Sequence, residues 1–305
     1  MASFKTNPIR LEELLGDCAR GIIQLPDFQR SWVWDEDRIK SLIASVSQAF
    51  PIGALMSLET GGEVDFKPRP IQGAAPAAQL MKPRELLLDG QQRMTSLYQT
   101  CIRNMVVQTV TVRHKLVRRW YYIDIQKALT TNIDREDAIV GVPEDRILRE
   151  DFGRTTVQDL STHVAEYSQL MFPSNQVFDW DEWQEGFSDY WIDQGNPGYR
   201  QIFKEFKDRV LLNFKGYNVP VITLDKTTSK AAVCLVFEKV NTGGKPLDAF
   251  ELVTAMYAAD GFQLRRDWLG EGTETGRHPR LRTFGRIGDE DAGILQKVSS
   301  IDFLQ

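Results

Sequence analysis

The stretch ELLLDGQQRMTSLY, residues 85–98, specifies a strand, a turn and a helix in immediate succession. Glu85-Leu86-Leu87-Leu88 is a short apolar run that ends at a turn, the pattern of a buried strand. Asp89-Gly90 supplies the turn, because glycine enters left-handed backbone conformations without a steric penalty. A helix is expected to begin near Gln91 and to continue through Met94 toward Val106. The first turn of a helix presents backbone N–H groups that lack intrahelical acceptors, with the helix dipole behind them, and so suits an anion. Gly90 lets a phosphate approach the main chain, Gln91 and Gln92 add neutral amides, and Arg93 adds a fork suited to phosphate oxygens. Asp89 has three open roles: it binds a divalent metal, orients water, or holds Arg93 across the turn as a simple capping residue.

Upstream, residues 9–20 have apolar positions at helical spacing with Gly21 as C-terminal cap, and Gly21 to Leu25 is a short strand ended by Pro26. Trp32 to Phe50 reads as a helix capped by Asp35, with Ile39, Leu42, Ile43 and Val46 on one face. Ala54 to Leu58 is a second strand. Residues 60–84, rich in Gly, Pro and Ala without periodicity, are expected to be a long exposed excursion. Downstream, strands at 106–112 and 120–125 flank a basic loop containing Arg113, Lys115, Arg118 and Arg119. This loop reads either as a solvated hairpin tip or as a phosphate contact.

Residues 126–216 are polar, mostly helical by pattern, and dense in aromatics from Phe178 to Phe206. Spacings of three and four put several rings on one stripe, which reads as a subdomain core or, alternatively, as a base-stacking or docking face. A strand returns at 219–224, followed by helices at 230–240 and 247–259. The expected class is therefore α+β: a core at 1–125, a helical insertion at 126–216, completion of the core at 217–260, and the start of a helical region at 261–305 that continues in a longer protein.

Composition narrows the function. Hydrophobic residues make up 42% and charged residues 26% of the 305, which is ordinary for a globular protein. No apolar run approaches the roughly 18 residues that a membrane helix needs, and no signal-peptide block opens the chain, so a cytoplasmic protein is expected with no membrane partner. A net charge of −5 argues against a DNA-coating protein while leaving room for a local basic groove. Cys18, Cys101 and Cys234 are isolated and are read as buried, reduced thiols, and His114, His163 and His278 form no metal-binding spacing.

Two further segments carry chemistry. Gln24 to Trp34 places Gln29 and Arg30 between Phe28 and Trp32, so that an amide and a guanidinium can read base edges or phosphate, or simply cap the next helix. In Phe237 to Leu247, the run Asn241-Thr242-Gly243-Gly244-Lys245 can form a backbone concavity for an anion beside Lys245, or a plain helix–helix turn. It lacks the spacing of a Walker A loop.

Taken in order, IQLPDFQRSWVW (23–34), LLLDGQQRMTSLY (86–98) and FEKVNTGGKPLDAFELVTA (237–255) resemble the N-terminal domain family of GmrSD-type modification-dependent restriction systems. The resemblance implies a small mixed sheet of the ParB/sulfiredoxin type with helical additions. It implies that Asp89, Gly90, Gln91, Gln92 and Arg93 bind and hydrolyse a nucleoside triphosphate with Mg2+, Asp89 being the metal ligand. Gln29 and Arg30 would lie near the nucleotide or the sensed DNA feature, with Asn241, Thr242 and Gly243 closing the pocket. Related proteins restrict modified phage DNA, such as glucosylated-hydroxymethylated or phosphorothioated DNA, often through a C-terminal nuclease of the His-Asn-His type. These residues hold no such histidine cluster, so cleavage is expected from a further domain or a partner. A homo-oligomer is compatible with the pattern. The alternative reading is a non-hydrolysing module that binds modified DNA and regulates a separate nuclease.

Overall fold

The computed structural model describes residues 4–27, 29, 31–32, 34–64, 66–151, 154–229, 232–233, 235–236, 267–268, 270–271 and 274–275. At its centre the strand–turn–helix forms as its sequence dictates. Strand β5 (Glu85–Asp89) runs into Gly90, whose φ of 94° is left-handed, and α3 (Gln91–Cys101) follows at once. A Cβ on Gly90 would collide with the side chain of Leu55, so the turn requires glycine on two counts.

The strand sits inside a six-stranded mixed sheet. Its members, with β5, are β1 (Phe4–Arg10), β2 (Ile23–Pro26), β3 (Leu55–Glu59), β4 (Pro68–Arg69) and β12 (Asn218–Leu224), in the order β1-β12-β3-β5-β2-β4. β12 lies parallel to β3 and β2 parallel to β5, while β1–β12, β3–β5 and β2–β4 are antiparallel. The strand period of two sends Leu87 to one face and Leu86 and Leu88 to the other.

Leu87 meets the helical layer. There α1 (Leu11–Arg20), α2 (Glu36–Ser47) and α3 contribute Leu11, Leu15, Ile39, Ile43, Met94 and Leu97 to the main core. Gly21, at φ 78°, ends α1, and the Asp35 carboxylate accepts from Arg38 N at 2.9 Å to start α2, both as the sequence implies. α3 is buried along nearly its whole length; Ser96 donates to the Gln92 carbonyl and Thr100 to that of Ser96, each at 2.8 Å, while Thr95 Oγ1 is buried with no partner among the described residues.

Residues 60–84 keep many exposed side chains, as expected, but they are anchored to the body of the domain. Val64 and Phe66 cover Leu86 and Leu88 on the outer face of the sheet, and Ile71 and Ala78 are buried. Gln24 Nε2 holds the carbonyls of Ala78 and Met81 at 3.1 and 2.8 Å. The apolar residues here follow no period because they plug a finished surface rather than form one face of an element. Strand β1 is likewise unmarked in the sequence: it is an exposed edge strand containing Pro8, and its partner lies some two hundred residues away.

A second sheet is built on β7 (Leu116–Asp124). It pairs with β6 (Val107–Val110), with β8 (Ile139–Pro143) and with β11 (Met171–Pro173), all antiparallel. β9 (Ile147–Glu150) and β10 (Thr155–Asp159) form a separate hairpin, so the stretch 126–216 contains four strands as well as its helices. Those helices are α4 (Ile125–Leu129), α5 (His163–Ser168), α6 (Asp181–Asp193), α7 (Tyr199–Phe206) and, after a π-helical turn, α8 (Leu212–Gly216). Between the two longest, Trp183 and Phe187 stack at 5.1 Å, and Phe203 lies 5.5 Å from each. These rings are at most 2% exposed, so they form core and offer no platform for bases. Among the described residues no helix is long and apolar enough to cross a membrane.

Candidate functional site

The segment around Gln29 folds directly onto the β5–α3 turn. Gln29, buried in the loop after β2, donates through Nε2 to the carbonyls of Leu87 and Leu88 at 2.9 and 3.0 Å. Gln92 Nε2 returns a bond to the Ser31 carbonyl at 3.3 Å, and Trp32 Nε1 donates to Ser96 Oγ at 2.9 Å. Arg69, on β4, donates to the main-chain oxygen of Gln29 at 3.0 Å. Two of the three chemically marked segments are thus one structural unit. Among the described residues, Gln29 Oε1 is buried with no hydrogen-bond partner. A buried acceptor without a donor is costly, and this one would accept from a water or a ligand N–H or O–H.

Arg93 and Asp89 lie on the other flank of the turn. The Arg93 guanidinium donates to the carbonyls of Ile52 and Ala54 at 2.6 and 2.9 Å and to Asp89 Oδ2 at 2.9 Å. The ion pair across the turn that the sequence offers is therefore present, while no side chain caps α3. The fork also pins the loop between α2 and β3. Gly53, at φ 89°, is needed there, since a Cβ would lie 2.6 Å from Arg93 Nη1. Tyr217 fastens the same loop, donating to the Phe50 carbonyl at 2.6 Å and accepting from Ile52 N at 3.1 Å. Burial raises the Tyr217 hydroxyl pKa, against the opposing effects of the Ile52 bond and the Arg93 charge. The loop also lines a groove of about 490 Å³ with Leu212, Asn213, Gly216, Tyr217, Asn218 and Pro220.

The start of α3 is enclosed. Gly90, Gln91 and Gln92 are all buried, so any ligand there reaches them within the protein and not from an open surface. Among the described residues no cluster of three or more His, Cys, Asp or Glu is arranged to hold a metal, and Asp89 stands as a single carboxylate with Arg93. Cys18 and Cys101 are free and buried, and burial pushes each thiol up to about 12.

The basic stretch resolves into two kinds of residue. Arg118 and Arg119 belong to strand β7 rather than to a loop, and pair with Glu144 at 2.8 Å and Glu36 at 3.2 Å. Arg113 and Lys115 occupy the tip of the β6–β7 hairpin, exposed to solvent. Arg30, Asn241, Thr242, Gly243, Lys245 and Cys234 lie outside the described residues, as does the helix read at 247–259. Arg69, Tyr217 and the loop 51–54 carry no signal in the sequence. Arg69 falls in the stretch expected to be an excursion, and a loop that offers only carbonyl oxygens has no side-chain signature.

Fold and site together describe a mixed α+β domain organised round a glutamine-lined strand–turn–helix. The pattern described as "GmrSD restriction endonuclease, N-terminal domain" matches residues 11–258, and the chain belongs to that family. It is also 27% identical over 274 residues to an uncharacterised protein of Methanocaldococcus jannaschii, covering 85% of this chain. The match spans 43% of that relative's length.

Proposed function

We propose that this chain is the nucleotide-binding, nucleotide-hydrolysing sensor domain of a modification-dependent DNA restriction protein. The observation that carries the reading is the meeting of Gln29 and Gln92 at the β5–α3 turn, with a buried acceptor, Gln29 Oε1, awaiting a donor. Family membership supplies the restriction context. Phosphoryl transfer needs positioning and charge stabilisation more than covalent chemistry from the protein, and a helix start beside an aspartate is suited to both. Mg2+, where bound, neutralises phosphate charge; a single carboxylate with phosphate oxygens is its usual holding set, which Asp89 fits. In this arrangement Arg93 holds Asp89 and the 51–54 loop in place, and Gln91 and Gln92 orient the polyphosphate and water. The nuclease and the modified phage DNA belong to the proposal for the whole protein.

Phosphate release from GTP, ATP, CTP and UTP with Mg2+ tests the reading, comparing wild type with Asp89→Ala and Gln91→Ala. Release that both substitutions lower about a hundredfold or more is expected, the scale of removing a preorganised transition-state interaction. Absence of release, together with no thermal shift from any Mg2+–nucleotide mixture, sinks it; a ligand at 100 times its Kd adds about 2.7 kcal/mol. The engagement of Arg93 by Ile52 and Ala54 favours a second reading, a binding module that does not hydrolyse. That reading predicts a thermal shift without phosphate release.

A further inference from the structure

We infer that the β6–β7 hairpin is a DNA wedge, in which Val112 and Leu116 enter a groove and part a base step while Arg113 and Lys115 sit on the flanking phosphates. The inference rests on the restriction reading above and adds to it a binding surface and a mode of binding.

The hairpin is built to hold its tip rigid. Val110 pairs with Leu116, Thr111 N donates to the Lys115 carbonyl at 2.9 Å, and His114 N donates to that of Thr111 at 2.8 Å. The remaining loop is Val112-Arg113-His114, and His114 has a left-handed φ of 57°. This is the three-residue hairpin geometry, in which the last loop residue turns left-handed to join strands of natural twist. What such a tip would ordinarily carry is polar side chains. Here Val112 is 69% and Leu116 76% exposed. Two large apolar groups within five residues of a fixed turn, held in water beside cations, are available to a partner.

The charge around them selects the partner. Among the described residues Arg113 and Lys115 have no ion-pair partner, in contrast to Arg118 and Arg119 on β7. Val112 and Leu116 thus bracket two cations on one turn, and apolar and cationic groups side by side complement a duplex, whose stacked bases are apolar and whose phosphates are anionic. Apolar wedges inserted between base steps from the minor groove, with cations on the adjacent phosphates, are an established way of bending DNA. The chain's overall charge of −5 makes this local concentration of positive charge the more selective.

The test uses the full chain and a 30-base-pair duplex carrying a donor and an acceptor dye at its ends, titrated at several salt concentrations. Three proteins are compared: wild type, Val112→Ser with Leu116→Ser, and Arg113→Gln with Lys115→Gln. All four positions are exposed, so equal urea midpoints are expected and confirm intact folding. Wild type should raise energy transfer on binding, because the duplex bends. The serine variant should bind with the same salt slope and leave the duplex straight. The glutamine variant should lower the slope of log affinity against log salt by about 2, one for each phosphate that is no longer neutralised. Binding by wild type without bending, or bending retained by the serine variant, overturns the wedge and leaves the restriction reading standing. Binding to phosphatidylserine vesicles that the serine variant loses, with no bending of DNA, overturns it in favour of a membrane surface. Failure of wild type to bind any duplex, modified or plain, removes the wedge, while the nucleotide assay judges the parent reading separately.

Discussion

Arg93 Nη1 donates to the carbonyl oxygen of Ile52 at 2.6 Å, tying the first turn of α3 to a loop 41 residues earlier. With the bonds to Ala54 and Asp89, one guanidinium sets the position of the motif relative to the loop between α2 and β3. The motif's arginine is thus a structural pin, whatever else it does.

Arg93→Lys should therefore destabilise the fold although it keeps the charge. An ammonium cannot span two carbonyls and a carboxylate as a planar fork does, and hydrogen bonds to charged groups contribute roughly 1.5–3 kcal/mol each. A loss of about 3 kcal/mol is expected in urea denaturation. A midpoint equal to wild type would show that the pin carries no weight.

Gly90→Ala should cost about 1–3 kcal/mol from the left-handed backbone alone. The collision of the new Cβ with Leu55 adds to it. Leu55→Ala in the same chain should relieve only the collision, so the double variant stays below the stability of Leu55→Ala by the backbone amount. Equal stability of those two would mean that the turn tolerates alanine.

Glu166 is fully buried and accepts from four groups: Tyr122 OH at 3.0 Å, Trp183 Nε1 at 3.1 Å and Arg146 at 3.4 Å, with His163 Nδ1 at 2.9 Å. Burial first, and then the Glu166 charge, raise the Tyr122 hydroxyl pKa. Glu166→Gln keeps the shape, but its NH2 must face a donor on either side and Arg146 loses its carboxylate. A loss of about 3 kcal/mol is expected, the scale for breaking a buried ion pair, and a calorimetric Tm indistinguishable from wild type would refute it.

Cys18 and Cys101 should resist thiol reagents at pH 8 in the native protein and react once it unfolds. A Cys234→Ser background isolates them. Burial lifts both from 9.0 to about 12, so the folded thiols stay protonated where the unfolded ones ionise. Their contribution to stability is accordingly complete below pH 9 and falls as pH rises from 9 toward 12. Labelling of the folded chain as fast as of the unfolded chain would contradict the burial.

Much of this is legible locally. The apolar run 86–88, the glycine after it and the helical spacing beyond define strand, turn and helix, because each depends on neighbours within a few residues. The caps at Gly21 and Asp35 are legible for the same reason. Local pattern misleads where side chains serve a surface outside their own element: Val64 and Phe66 look aperiodic because they fold back from the long β3–β5 connection to cover β5. The four strands between 139 and 173 escape it because runs of three to five residues are too short to show an alternation, and aromatic helices nearby dominate the pattern.

Neighbouring residues alone specify the strand–turn–helix, the residue types at its turn and, through three ordered segments, the family. What those residues touch is settled by the folded chain. That Gln29 holds the carbonyls of Leu87 and Leu88, that Arg93 is engaged by Ile52 and Ala54, and that Arg118 and Arg119 pair with Glu144 and Glu36, all depend on groups far apart in the chain. Backbone carbonyls are identical at every position, so a side chain's choice among them is set by packing, which no local pattern encodes.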